Sequence, residues 1–324
     1  MVSGYNGTSA NVVIGQTRYD KPVKAIGFGA FQNNQTIESI YIPKNIETMG
    51  TFVFENCTNL RQVIFENGSL IEQFGQSTFK GCTNLRNIDN IPENLTYIGL
   101  YAFEDCSKLQ LNTHNSSQYF GDENNPYLIL MSQSPSDAYI HSNTRFIYSY
   151  SLKYSEKTLE IPKNVVQICS YANASASLEH ITFENNSLLT VIGASAFANG
   201  NIKSIELPKA LNMIEEEAFA NCRQLEIVKF ANNGTSLIIS DRSFINCISL
   251  KNIYLPEYIS KVSASIQASN SPFYGCSIDL VIYCECLERP SDWSSFWNYY
   301  AAYKPLSVVW GYTHSQYLEE ISQA

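Results

Sequence analysis

The residues able to do chemistry are scattered along this chain. Four histidines, His114, His141, His180 and His314, stand far apart. None belongs to the His-Glu-x-x-His pattern that sets two metal ligands and a base on one helix face. The chain has no paired Cys-x-x-Cys motif and no phosphate-cradling lysine loop. Gly27-Phe28-Gly29 imitates a dinucleotide turn, but it is one copy of a phrase that recurs along the chain. Gly193-Ala194-Ser195-Ala196-Phe197 is another copy and lacks the second glycine of a nucleophile elbow. Glu215-Glu216-Glu217 reads as a solvated turn. Cys284 and Cys286 share one strand face, yet two thiols without further ligands do not complete a zinc shell. These residues predict a chain with no catalytic centre, no metal and no cofactor.

What positions them is the recurring phrase itself. A phenylalanine returns at Phe31, Phe54, Phe79 and Phe103, at separations of 23, 25 and 24 residues, and again at Phe197, Phe219 and Phe244. The phrase around it is Ile-Gly-x-x-Ala-Phe-x-x-Cys-x-x-Leu-x-x-Ile-x-Ile-Pro. A fixed period in this range marks a solenoid, in which one unit cannot bury its apolar face alone and must stack on its neighbours. The rings are expected to point inward as a spine, each worth roughly 1.5–3 kcal/mol on burial.

Cys57, Cys82, Cys106, Cys222 and Cys247 all stand three residues after the Phe, among nine cysteines in total. Successive coils about 4.8 Å apart would bring such Cα atoms within disulfide range. The parallel Cβ vectors of a column, and the replacement of Cys by Asn34 or Gly200 at the same position, argue instead for buried free thiols acting as small hydrophobes.

After the cysteine, the leucine and the alternating residues that follow read as a half-buried strand. In the second copy Leu60, Val63 and Phe65 are core, while Gln62 and Ile64 face solvent. Equivalent strands run Ile37 to Ile42, Leu178 to Phe183, Ile202 to Leu207, Leu225 to Phe230 and Leu250 to Leu255. Pro43, Pro92, Pro162, Pro208 and Pro256 end strands, where a missing N–H is tolerated. The outward column runs Tyr41, Ile64, Asp89, Glu160, Thr182, Glu206, Lys229, Tyr254, with Ser39, Gln62, Asn87, His180, Ser204, Ile227 and Asn252 beside it. Mixed polar and aromatic residues at regular spacing suit an extended protein- or glycan-binding face. Its candidate residues are Tyr41, Gln62, Ile64, Asp89, His180, Glu206, Lys229 and Tyr254.

The template fails between Asn112 and Tyr154. There Tyr119 to Tyr127 reads as a turn leading into a strand at Leu128-Ile129-Leu130-Met131. Leu152 stands at the Phe position and Ser155 where Cys is expected, and the next copy, Ile168-Cys169-x-x-Ala172-Asn173, lacks the ring. This segment is either an alternative coil or a ligand-contacting protrusion. All three tryptophans, Trp293, Trp297 and Trp310, lie near the C-terminus. They suit a lid over the last apolar layer, with a carbohydrate-stacking site as the alternative. The resulting division is a solenoid over 1–281, a capping segment over 282–312 and a tail over 313–324.

Charged residues make up 16% of the chain and hydrophobic ones 44%, too apolar for disorder. A net charge of −9 disfavours nucleic acid and anionic membrane as partners. No run of about 18 apolar residues exists to span a bilayer. The start, Met1-Val2-Ser3-Gly4-Tyr5, has no charged leader or apolar run, and Asn11-Val12-Val13-Ile14 is already repeat-like. A trimmed chain is therefore expected, and a cytosolic one is the other option. Asn6-Gly7-Thr8, Asn67-Gly68-Ser69 and Asn233-Gly234-Thr235 are possible glycosylation triplets that a chain rich in Asn and Ser also produces by chance.

Two copies carry a specific resemblance: Ile98-Gly99-x-x-Ala102-Phe103-x-x-Cys106-x-x-Leu109 and Ile214-x-x-x-Ala218-Phe219-x-x-Cys222-x-x-Leu225. Together with the terminal Val308-Val309-Trp310-Gly311-Tyr312, they make the chain similar to the BspA-like leucine-rich repeat family of bacterial and protist surface proteins. The resemblance implies a mainly β, right-handed, curved leucine-rich-repeat superhelix with a parallel sheet along one face. It further implies a monomeric, non-catalytic surface or secreted protein that binds an extracellular-matrix or host-cell protein, with a glycan as a further ligand class. The contrasting expectation is an intracellular interaction scaffold or effector in a reducing compartment.

Overall fold

The computed structural model describes residues 1–137, 139–153, 157–173, 178–231 and 234–323, the last four as backbone. Tyr154, Ser155 and Asn233, singled out above, lie outside the described residues. The chain forms two compact units, residues 1–131 and 132–324.

In the first unit, β1 (Asn11–Val13), β2 (Ser39–Ile42), β3 (Gln62–Phe65) and β4 (Asn87–Asp89) pair in chain order as a parallel sheet. Period-two alternation decides which side chains enter the core. Ile40, Ile42, Val63 and Phe65 are fully buried, while Ser39, Tyr41, Gln62 and Ile64 between them stay half-exposed. The unit also contains an antiparallel hairpin of β5 (Asn112–His114) and β6 (Ser117–Phe120). Its turn residues Asn115 and Ser116 both have positive φ, 46° and 70°. That is the two-residue turn whose twist matches the flanking strands. The hairpin was not legible in the sequence because Asn-Ser lacks the glycine that usually announces such a turn.

The second unit carries seven parallel strands, again in chain order. They are β7 (Thr158–Ile161), β8 (His180–Phe183), β9 (Ser204–Leu207), β10 (Ile227–Phe230), β11 (Asn252–Leu255), β12 (Val281–Cys284) and β13 (Ser307–Trp310). A second ladder of short parallel strands, from Phe146–Ile147 to Ile259–Val262, lies across the coils in the same order. Each unit is thus a β solenoid, and β12 and β13 continue the sheet into the C-terminal segment. Trp293 and Trp297 there are buried edge-to-face at 4.9 Å, and the Trp293 indole N–H donates to the Ile259 carbonyl at 3.1 Å. The tail after Thr313 folds as a helix, α1 (His314–Gln323).

Between the sheets run the rings. Phe31, Phe54, Phe79 and Phe103 stack at 5.2, 5.6 and 5.5 Å between centroids. Phe197, Phe219 and Phe244 stack at 5.4 and 5.3 Å. The second column has one more ring, Phe273, 6.0 Å from Phe244. Its separation of 29 residues from Phe244 hid it from the periodicity. Leu152 fills the same position and bridges in parallel to Asn173, so the register is regular there in spite of the missing rings.

Six of the nine cysteines make rungs. The Sγ of Cys57 donates to the carbonyl of Phe31, that of Cys82 to Phe54 and that of Cys106 to Phe79, all at 3.0 Å. Cys222, Cys247 and Cys276 do the same to Phe197, Phe219 and Phe244 at 3.1–3.2 Å. Every cysteine is a free thiol, and all but Cys286 are buried.

Two residues after each Phe the chain turns through the left-handed region, at Asn33, Asn56, Gly81 and Asp105 and again at Asn199, Asn221, Asn246 and Gly275. Only Asn, Asp and Gly occupy this column, the types that tolerate it best. The glycine after the first Ile works differently. A Cβ at Gly99 would meet the Gln76 backbone nitrogen at 2.5 Å, so the preceding coil's backbone, rather than a positive φ, forbids a side chain.

Two outcomes follow from this core. Phe219→Ala, read by chemical denaturation, is expected to lose roughly 3–5 kcal/mol, as ring deletions in packed cores do; a loss below about 1 kcal/mol would remove the ring from the core. Burial pushes the thiols of Cys57, Cys106 and Cys222 up to about 12, and those of Cys82 and Cys247 well above the usual range. The reactive thiolate is therefore suppressed. These five cysteines should resist alkylation in the native chain at neutral pH and label after denaturation without reductant. Labelling that needs reductant would reveal disulfides.

Candidate partner-binding face

The outward column divides between the two units. In the first unit Tyr41 lies beside Ile64 and Ile64 beside Asp89 across successive strands. All three are half-buried, and the Gln62 amide donates to the Asp89 carboxylate. Near them a hollow of about 270 Å³ opens between the sheet and the hairpin, lined by Arg86, Asn87, Asp89, Asn112, Asp122 and Glu123. Asp122 is already engaged there, accepting from the backbone N–H groups of Ile91, Asn124 and Asn125.

In the second unit the face is open over β7 to β10. Glu160, Thr182, Glu206, Ile227 and Lys229 are exposed, and Glu206 lies directly across from Lys229. His180 Nδ1 and Ser204 Oγ are 3.2 Å apart on neighbouring strands. A shallow groove of about 420 Å³ crosses these strands, lined by Thr158, His180, Ser204, Glu206, Ile227 and Lys229. Three sequence candidates, His180, Glu206 and Lys229, are thereby brought together. Along the edge of the same strands Glu179 sits between Lys157 and Lys203, at 2.8 and 2.6 Å. The hydrogen bonds to Lys157 and then Lys203 hold its carboxyl down to about 2.

Tyr254 is different. The sequence places it in the exposed column, and strand pairing does set it on the same face, one strand beyond Lys229. In the structure it is only 3% exposed, because α1 covers it. The Tyr317 ring stacks on Tyr254 at 5.3 Å, His314 lies 5.2 Å away, and Tyr283 contacts Tyr317 at 5.4 Å and Tyr312 at 4.8 Å. Tyr283, Tyr312 and Tyr317 were missed in the sequence. The available signal was Tyr283 in register with Tyr254, together with a single apolar stripe at Tyr317, Leu318 and Ile321.

Other sequence candidates are used structurally. Trp293 and Trp297 are buried, so they offer no flat platform to a sugar. The Asn56 amide donates to Asn33 Oδ1 within the turn column. Cys284 is buried within β12, and Cys286 is half-buried beyond it. Among the described residues, no three His, Cys, Asp or Glu side chains converge as a metal site, and no helix is long and apolar enough to cross a membrane.

Stacked coils with a Phe–Cys core and a parallel sheet define a leucine-rich-repeat solenoid. The profile of the BspA type leucine rich repeat region matches residues 10–124 and 142–279 in six copies, and the chain belongs to that family. No curated protein sequence matches the chain. Among solved structures it is similar to a leucine rich cell surface protein of Faecalibacterium prausnitzii, at 17% identity over 97% of this chain and 91% of that one, with a TM-score of 0.31. A leucine-rich repeat protein of Bacteroides ovatus is 20% identical over 93% and 91% of the two chains, TM-score 0.31. The pneumococcal vaccine antigen PcpA is 17% identical over 86% of this chain and 62% of its own, TM-score 0.34.

Ionisation of the tyrosine cluster is expected to undock α1 at high pH. Burial pushes the Tyr317 phenol up to about 12 and, with Glu285 beside it, the Tyr254 phenol higher still. A raised acid is favoured in its neutral form in the folded state. Its contribution is therefore complete below the ordinary value of 10.0 and is lost as pH climbs towards about 12. Tyrosinate absorbance should show these phenols ionising after the exposed tyrosines, with helix loss by circular dichroism in the same interval. Ionisation of all tyrosines near 10 would contradict the docked arrangement.

Proposed function

We propose that the chain is a non-catalytic binding module of a surface or secreted protein, engaging a protein ligand through the outward face of its parallel sheets. The observation that carries this reading is the groove over β7 to β10. There His180, Ser204, Glu206, Ile227 and Lys229 present acid, base, hydroxyl, imidazole and aliphatic groups at strand spacing, on a framework whose core does not depend on them. Such a mixture resembles a non-obligate interface, and the face has no convergent group suited to bond-breaking. Tyr41, Gln62, Ile64 and Asp89 form the corresponding stretch in the first unit. Matrix and host-cell proteins are the ligand class that the family suggests. The monomeric state is part of the same proposal.

A reducing intracellular setting is the second reading, favoured by the half-buried free thiol of Cys286. Fractionation of the source cells separates the two, since a surface protein is removed by protease treatment of intact cells.

The binding reading is tested by capture against immobilised matrix proteins, glycans and cell lysate, followed by variants. Glu206→Lys, Lys229→Glu and Tyr41→Ala should each weaken the captured partner. The melting temperatures of the Glu206 and Lys229 variants should remain unchanged, because exposed substitutions stay within about 0.5 kcal/mol. A genuine partner bound equally well by all three would move the site off the sheet.

A further inference from the structure

The helix α1 lies on the face just proposed to bind a partner. At ten residues it is too short to be stable alone in water. Its start is fixed locally: the Gln316 side chain accepts from the Thr313 backbone N–H at 2.9 Å, and Thr313 Oγ accepts from the Gln316 N–H at 3.4 Å, a reciprocal cap. Beyond the cap, Tyr317 is its one buried side chain among those described, while Gln316, Leu318 and Glu319 are exposed. That ring enters a seat made by Tyr254 and Tyr283 on neighbouring strands and packed by Tyr312. The seat therefore belongs to the sheet column and adjoins Lys229 of the open groove.

A surface that binds one capped, tyrosine-bearing helix has the shape and chemistry to bind another. We infer that the Tyr254–Tyr283–Tyr312 seat is a docking site for a short amphipathic helix carrying a tyrosine. In this inference α1 fills the seat in cis, and a protein partner presenting such a helix gains the full sheet face by displacing it. This rests on the sheet face being the binding surface and adds what the partner must present there. The tether explains why the seat is filled: α1 follows β13 after three residues, 311–313, and short tethers give effective concentrations on the order of mM.

The test uses a fluorescent synthetic peptide of residues 313–324 and three full-length chains: intact, Tyr317→Ala and Tyr317→Ala/Tyr254→Ala. The intact chain should bind the peptide at least about tenfold more weakly than Tyr317→Ala, because its own helix competes at high effective concentration. Adding Tyr254→Ala should abolish binding, as should replacing the peptide's tyrosine with alanine. Leu318→Pro, which breaks the helix at an exposed position and leaves the seat intact, should reproduce the gain and guards against misfolding of the first variant. Equal peptide binding by intact and opened chains, with unchanged thermal transitions, overturns the inference. A dimer of the intact chain that dissociates on Tyr317→Ala also overturns it, since the helix would then come from a second copy. The assay uses no outside partner, so its failure leaves the groove variants Glu206→Lys and Lys229→Glu to be judged on their own.

Discussion

The structure depends on one contact repeated from coil to coil: a phenylalanine ring lying on the ring before it, with a thiol donating to the carbonyl of that earlier phenylalanine. The ring supplies apolar area and stacking, and aromatic pairs contribute about 0.5–1.5 kcal/mol beyond burial. The buried thiol satisfies a carbonyl on the inner wall, where water is excluded. Neither group works alone. A single coil has nowhere to put its ring, so stability arises only between coils.

That arrangement separates two sets of residues. Ring, thiol, leucine and inward strand positions are fixed by packing, and the left-handed turn two residues after the ring is occupied by Asn, Asp or Gly. The outward strand positions touch none of this. Asp89, Glu206 and Lys229 hold one outward position, and Gln62 and His180 the one beside it, without sharing a chemistry, which is the freedom a binding surface needs. Near the end of the sheet in the second unit, α1 covers the outward tyrosines Tyr254 and Tyr283.

Legibility in the sequence follows the same division. The Phe and Cys columns and the inward and outward strand positions were readable because each is dictated by a short local rule repeated many times. Phe273 and Cys276 escaped because a longer connection shifted their spacing. The Asn115-Ser116 hairpin escaped because its turn uses no glycine. Tyr254 was placed on the correct face and given the wrong environment, since its burial comes from residues 63 positions away at Tyr317. Tertiary coverage by a ten-residue helix leaves no periodic trace in the strand that it covers. The candidate face was therefore visible as a column of side chains, while the part of it already occupied was not.

The central claim is that the coils are held by nearest-neighbour contacts through the ring column. A double-mutant cycle within the first unit tests it most directly, using Phe54→Leu with Phe79→Leu and, separately, Phe54→Leu with Phe103→Leu. The first pair stacks at 5.6 Å, and its members should couple within the 0.5–3 kcal/mol range found for contacting residues, roughly. The members of the second pair meet only through their shared neighbour Phe79 and should couple more weakly than the first. Equal coupling in both cycles, or none in either, would contradict a fold held by ring-on-ring contact between adjacent coils.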